Sequence, residues 1–220
     1  MNLSAEHAAA RRRLPLVLLG NALVRISGGA TGVLVGLYLA HLANRGLESG
    51  AALAGSLGAM AFGAELVGAV PMGLISDALA PRSLMTTGAV LGALATQLFG
   101  MTGNTGIFFL SRAVEGFGAS ASAPSLLAHL TDTTDGDPPL RARVMSYFEL
   151  SLLAGLALGA VLAGELWLRI GPGAFSAVAG SYLLAAVLLY LGSVGSRGYG
   201  VENALEGFRR ALREPSLRRL

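Results

Sequence analysis

The chain has 220 residues, of which 53% are hydrophobic, 13% charged and 31 are Gly, with a mean hydropathy of +0.62. An average soluble domain carries about twice that share of charge, so a disordered tail, a coiled coil and an ordinary cytosolic enzyme are excluded. Cys is absent, which removes disulfide scaffolds, thiolate metal sites and Cys nucleophiles. All 16 basic residues are Arg, gathered at the ends of apolar runs, so the net charge of +3 marks a membrane surface and not a nucleic-acid face. The composition is that of an all-α integral membrane protein.

Six stretches reach the roughly 20 apolar residues needed to cross about 30 Å of hydrocarbon. In chain order they cover roughly 14–40, 51–75, 83–101, 106–130, 142–168 and 173–194. The first follows Arg11, Arg12 and Arg13 but runs well past the roughly 7–15 apolar residues of a signal peptide, so it reads as an uncleaved helix. Residues 1–195 are therefore expected to form one six-span bundle. Residues 196–220 read as a cytoplasmic amphipathic segment, with Val201, Leu205, Phe208 and Leu212 at helical spacing and Arg on the other side.

Orientation follows from the Arg distribution. With the N-terminus inside, the cytoplasmic side holds Arg11, Arg12, Arg13, Arg82, Arg141, Arg143, Arg197, Arg209, Arg210, Arg213, Arg218 and Arg219. The outer side holds only Arg45 and Arg169, while Arg25 and Arg112 fall within spans. Both termini are expected in the cytoplasm and the bundle in the plasma (cytoplasmic) membrane. The longest connection falls at Thr131–Leu140, where Asp132, Asp135, Asp137, Pro138 and Pro139 are turn and helix-start chemistry.

Charged groups inside spans cost about 2.5–3.5 kcal/mol or more near the bilayer centre, so they turn toward protein or water. Here they are Arg25, Glu65, Arg112, Glu115 and Glu149, with Glu165 nearer the outer end of the fifth helix. At about 1.5 Å rise per residue, Arg25, Glu65 and Glu115 all lie near the midplane. Arg25 is thus expected to pair with Glu65 or Glu115, and Arg112 with a carboxylate of its own or a neighbouring helix. Helices three and six carry no charge within the membrane, which predicts an inner set around a polar cavity and an outer pair facing lipid. Gly32 with Gly36, Gly88 with Gly92, and Gly155 with Gly159 have the spacing of close helix packing. His7, His41 and His129 have no partner at ligand spacing, so no metal site is expected, and no motif points to a cofactor. Trp167, Tyr182 and Tyr190 read as interfacial or packing aromatics. An Arg four residues before a Gly recurs as Arg25–Gly29 and Arg112–Gly116, which suggests two inverted three-helix repeats.

The turn after the second helix reads Gly73-Leu-Ile-Ser-Asp77-Ala-Leu-Ala-Pro81-Arg82. It resembles the major facilitator superfamily signature G-x-x-x-D-R-x-G-R-R: Gly73, Asp77 and Arg82 match, while Ala78, Ala80 and Pro81 depart. The fourth helix adds Arg112-Ala-Val-Glu115-Gly116-Phe117-Gly118-Ala119, which is similar to that family's R-x-x-Q-G-x-G-A element with Glu115 in place of Gln. On the fifth helix Gly155, Gly159 and Gly164 match part of the exporter signature, with Ser146, Ala160 and Ala163 at three of its other positions.

The resemblance implies the N-terminal six-helix half of a twelve-span transporter. It also implies a conformational latch at Gly73, Asp77 and Arg82, and a role for Arg112 in proton transfer or substrate binding. Read with the charge pattern, the chain is expected to move a small organic solute by alternating access, coupled to protons. Arg25, Glu65, Arg112, Glu115 and Glu149 are the candidate substrate and coupling residues. It is not expected to be an enzyme. A six-span serine protease of the rhomboid kind would need a His base on the sixth helix, and that helix has none. Another reading is a half-size module that does not transport until a partner completes it. The stretch from Arg213 to Leu220, with Pro215, looks like a linker about to enter a further span. A separate second half or a second copy of the chain is the expected partner.

Overall fold

The computed structural model describes residues 3–46 and 50–193, which form six α-helices and one short 3-10 turn. The helices are α1 (Leu3–Ala43), α2 (Ala51–Ala78), α3 (Pro81–Gly100), α4 (Thr105–Thr133), α5 (Pro138–Ile170) and α6 (Ala174–Gly192). The segment 196–220 and its expected amphipathic helix lie outside the described residues.

Helix boundaries follow from local chemistry. Pro81 and Pro138 sit at the starts of α3 and α5, where their missing N–H groups leave no hydrogen bond unmade. Asn104 caps α4 by accepting from the N–H groups of Gly106 and Ile107, and Asp137 caps α5 by accepting from that of Leu140. The connection expected at Thr131–Leu140 shrinks to four residues, because α4 continues to Thr133 and α5 starts at Pro138. Gly136 there has φ 72°, a left-handed turn that Gly adopts without steric cost. The loop is clasped from two sides. Arg11 donates to Asp137 at 3.2 Å and to the Asp135 carbonyl at 3.1 Å, and Arg141 pairs with Asp135 at 3.1 Å.

Four stretches are long and apolar enough to cross a membrane: Ala9–Ala43, Ala51–Gly73, Pro81–Gly100 and Pro138–Gly192, the last covering α5, the 3-10 turn and α6. Charged and hydroxyl groups on α4, including Arg112, Glu115, Ser120 and Ser125, lower its hydropathy below that of these four stretches. It compensates by position, packed between α2 and α3. On the other side α1 packs against α5 and α6, and α3 and α6 join the two groups.

Close packing depends on glycine, though not at every predicted pair. Gly155 and Gly159 of α5 lie against the α1 backbone, where an added Cβ would collide with the chain at Arg25–Ile26 and at Ile26–Ala30. Gly88 meets Gly118 and Ser122 of α4, and Gly92 meets the Tyr182 ring. Gly32 and Gly36 differ from the expectation: nothing lies within 4 Å of a Cβ added at either. Their helical phase turns them away from α5 and α6. One end of the bundle is closed by stacked and edge-on rings of Tyr38, Phe99, Phe108, Trp167 and Phe175, with the Tyr38 hydroxyl donating to the Thr102 carbonyl at 2.9 Å.

Candidate functional site

A cavity of about 540 Å³ opens between the helices. Each wall is one stripe at helical spacing. From α1 come Arg25, Gly28, Gly29 and Gly32; from α2, Ala54, Gly58, Ala61 and Glu65; from α4, Arg112, Glu115, Gly116, Ala119 and Ser122; from α5, Leu152, Leu156 and Ala160. Helices α3 and α6, which carry no charge at membrane depth, send only Gly88, Gly92 and Tyr182 to the wall. Both bury one face, including Met85, Ala89, Phe99, Phe175 and Leu189, and expose another that carries Leu94, Leu183, Leu184 and Val187.

The structure brings four of the five candidate residues together: Arg25, Glu65, Arg112 and Glu115. Glu149 is exposed and stands outside the wall, one turn below Leu152 on the same face of α5. Tyr182, Ser122 and the α1 glycines were not anticipated. The register Arg25, Gly28, Gly29, Gly32 was the available signal, because it places one cation and a smooth trough on a single face.

Ion pairing sorts the four charges. Arg112 donates from Nη1 to the Glu115 carboxylate three residues on, with side chains only 10% and 14% exposed. That pair closes within its own helix, with the Arg112 Nε left buried without a hydrogen-bond partner among the described residues. Arg25 pairs with neither Glu65 nor Glu115 among the described residues. Its Nε is buried without a hydrogen-bond partner, and its guanidinium carbon lies 5.7 Å from the centroid of the Phe148 ring. Glu65 and Glu149 nonetheless attract it electrostatically, and Glu65 repels Glu115. Hydroxyl groups fill the polar requirements behind the wall. Ser27 donates to Ser181 at 3.0 Å, Thr31 and Thr96 share a hydrogen bond at 3.2 Å, and Asn21 donates to Ser151 at 2.6 Å.

Backbone contacts hold the charged stripes in place. Gly116, one residue past Glu115, lies on the Ala61 carbonyl of α2, and Gly29, four past Arg25, lies 2.9 Å (as an added Cβ) from the Gly155 carbonyl of α5. A side chain at either position would push the wall helices apart.

The expected latch residues straddle a short turn. Gly73 and Asp77 belong to the last turns of α2, which runs to Ala78, and Arg82 is the second residue of α3. Arg82 turns its guanidinium onto the ring of Tyr190 near the end of α6, 3.4 Å from the centroid.

The sequence model described as Major Facilitator Superfamily matches residues 17–218. The chain belongs to that superfamily. Solved structures of the same fold include the peptide transporter POT in complex with sulfate, at 17% identity and TM-score 0.72, covering 91% of this chain and 44% of the other. A mutant of that transporter in complex with alafosfalin gives 16% identity and TM-score 0.75, covering 90% and 44%. A POT family transporter in complex with a thioalcohol-conjugated peptide gives 16% and 0.75, covering 91% and 45%. This chain therefore spans less than half the length of each. No curated protein matches it. Superfamily membership makes it a multi-pass membrane protein of a transporter family.

Proposed function

We propose that the chain is one half of a secondary carrier, moving a small organic solute across the plasma membrane by alternating access and coupled to protons. The observation that carries this reading is the cavity of about 540 Å³ with Arg25, Glu65, Arg112 and Glu115 on its wall. Its size falls in the roughly 300–1,000 Å³ range of small-molecule sites. Charges at membrane depth are retained where they bind solutes, ions or protons. Glu65 and Glu115 are the proton carriers in this scheme, and Arg25 and Arg112 set their charge balance.

All six helices span the membrane in this reading, α4 included, as an inner helix covered by α2 and α3. Two inverted repeats, α1–α3 and α4–α6, are supported by the packing. Exchanging the two sets converts α1 against α5 into α4 against α2, and α1 against α6 into α4 against α3, while α3 against α6 maps onto itself. The Gly29 and Gly116 contacts exchange in the same way. Both termini lie in the cytoplasm, and a second six-helix body, a separate half or a second copy, faces the cavity to complete it. Peptides are the named cargo of the similar structures, which makes short peptides one class to include among test solutes.

The test uses membrane vesicles from cells that make the protein and from the same cells lacking it, each loaded with a pH-sensitive dye. Small organic acids, amines and dipeptides are added in turn. At least one solute should move protons in the first vesicles and not in the second. Identical responses across the whole set would overturn the carrier reading.

A further inference from the structure

We propose that Arg25 is an anchor for the anionic group of the solute, a carboxylate or phosphate, and that Arg112 is not. This inference rests on the carrier reading and names its solute class as small organic anions. Four observations on the wall lead to it.

First, the charges are unequal in availability. Both guanidiniums keep a buried Nε with no hydrogen-bond partner, but Arg112 is ion-paired with Glu115, whereas Arg25 has no carboxylate within ion-pair distance among the described residues. An oxyanion at Arg112 competes with a carboxylate already seated there, so it gains more at Arg25. A guanidinium also presents a fork that fits a carboxylate or phosphate through two parallel hydrogen bonds.

Second, the space next to Arg25 is open. Gly28, Gly29 and Gly32 continue its face of α1 along the cavity, and a Cβ at Gly32 would meet nothing within 4 Å. Gly32 is therefore not held as glycine by helix packing, and the absent side chain leaves room for a solute body beside the cation.

Third, the root of Arg25 is fixed. Its Cβ lies against Gly155 of α5, the glycine that matches the exporter signature, and Phe148 of α5 flanks the guanidinium. Gly155 thus seats the anchor, and its tip need not be ordered on binding.

Fourth, the groups facing Arg25 set how strongly it can hold an anion. They are Glu65 on α2, Glu149 on α5 and Tyr182 on α6, with the Arg112–Glu115 pair across the cavity on α4. An anion bound at Arg25 competes with the Glu65 carboxylate for the same cation, so removing the Glu65 charge strengthens anion binding.

The experiment uses the full chain in nanodiscs of phosphatidylcholine alone, treated with phenylglyoxal, with adducts at each Arg followed by mass spectrometry. Arg25 should react faster than Arg112. Butyrate and ethyl phosphate should protect Arg25, and the neutral butyramide should not. In the Glu65→Gln variant the half-protecting butyrate concentration should fall about threefold or more, since a competing carboxylate has gone. Equal protection by butyrate and butyramide, or none by either anion, would overturn the anchor. Protection seen only after adding an anionic phospholipid would overturn it too, by assigning Arg25 to a lipid headgroup. The two readings fail separately: Arg25 protected by anions in a chain that supports no solute movement sinks the carrier, whereas transport that ignores solute charge and survives Arg25→Gln sinks only the anchor.

Discussion

The guanidinium carbon of Arg82 sits 3.4 Å from the centroid of the Tyr190 ring, joining the start of α3 to the end of α6. Arg82 is the basic residue that matches the family's latch signature, and its Nε is buried with no hydrogen-bond partner among the described residues. A cation over an aromatic face is worth about 0.5–2 kcal/mol. Tyr190→Phe keeps that face and should leave the unfolding midpoint in detergent unchanged. Tyr190→Leu should lower it and should raise the reactivity of Arg82 toward phenylglyoxal. An unaltered midpoint and reactivity in the Leu variant would show that the ring contributes nothing.

Glycines with the same spacing in sequence should differ sharply in cost. Gly116→Ala drives a methyl into the Ala61 carbonyl and Gly159→Ala into the Ile26 carbonyl, both backbone groups that cannot rotate away. Overpacking of this kind costs about 1–3 kcal/mol. Gly36→Ala meets open space and should be neutral or slightly stabilising, since Ala loses less conformational freedom in a helix. Unfolding of the three variants in the same detergent checks the ranking. A Gly36→Ala variant as unstable as Gly116→Ala would contradict it.

The Arg112–Glu115 pair is the sharpest test of the coupling residues. Glu115→Gln keeps the size of the side chain and an acceptor for Arg112, so the bundle should fold while proton-coupled movement of solute is lost. Arg112→Ala should also stop transport, with a further cost of about 3–5 kcal/mol because it strands a buried carboxylate. Vesicle flux measured across pH, beside an unfolding curve for each variant, separates the two effects. Normal transport by both variants at every pH would make the pair a lock between helices.

How much of this was legible beforehand depends on the range of the interaction. Helix positions were readable because apolar length, Pro81, Pro138 and the Asn104 and Asp137 caps are local signals. The two long helices α1 and α5 run beyond their apolar cores because polar turns continue a helix without adding hydropathy, and Pro15 interrupts α1 without ending it. Depth along each helix placed Arg25, Glu65 and Glu115 at one level, but it does not rank the partners there. The i, i+3 geometry of Arg112 and Glu115 paired that Arg inside its own helix and left Arg25 without an ion pair among the described residues. Rotational phase was equally hidden: Gly32 and Gly36 have the same spacing as Gly155 and Gly159 yet face open space. The Arg11 clasp on the loop before α5 joins residues more than 120 positions apart, and no local pattern announces it.

Orientation is open to direct measurement. In the proposed orientation Gly46, after α1, faces outside and Asp135, after α4, faces the cytoplasm. Both positions are exposed, and the chain contains no Cys of its own. In intact cells a membrane-impermeant maleimide should label Gly46→Cys and leave Asp135→Cys untouched until the membrane is opened. The reverse pattern would invert the bundle and move the Arg11 clasp to the outer face.

A single copy of this chain should not transport. Alternating access needs two bodies that rock about a site between them, and the described residues make one bundle around the cavity. The solved structures of the same fold are more than twice as long, since 43–45% of each is covered. Flanking the cavity, Phe62 and Leu66 of α2 are 72% and 75% exposed, and Leu153 of α5 is 67% exposed, an apolar rim suited to a second bundle. Left to lipid, the same opening would bring Arg25 and Glu65 toward hydrocarbon at a cost of several kcal/mol, which favours pairing. Proteoliposomes prepared at increasing dilution separate the cases. Flux should vanish as loading falls to one copy per vesicle, and it should return when a second six-helix body is present. Flux that stays proportional to single copies would show that one bundle suffices, and the half-carrier reading would fall.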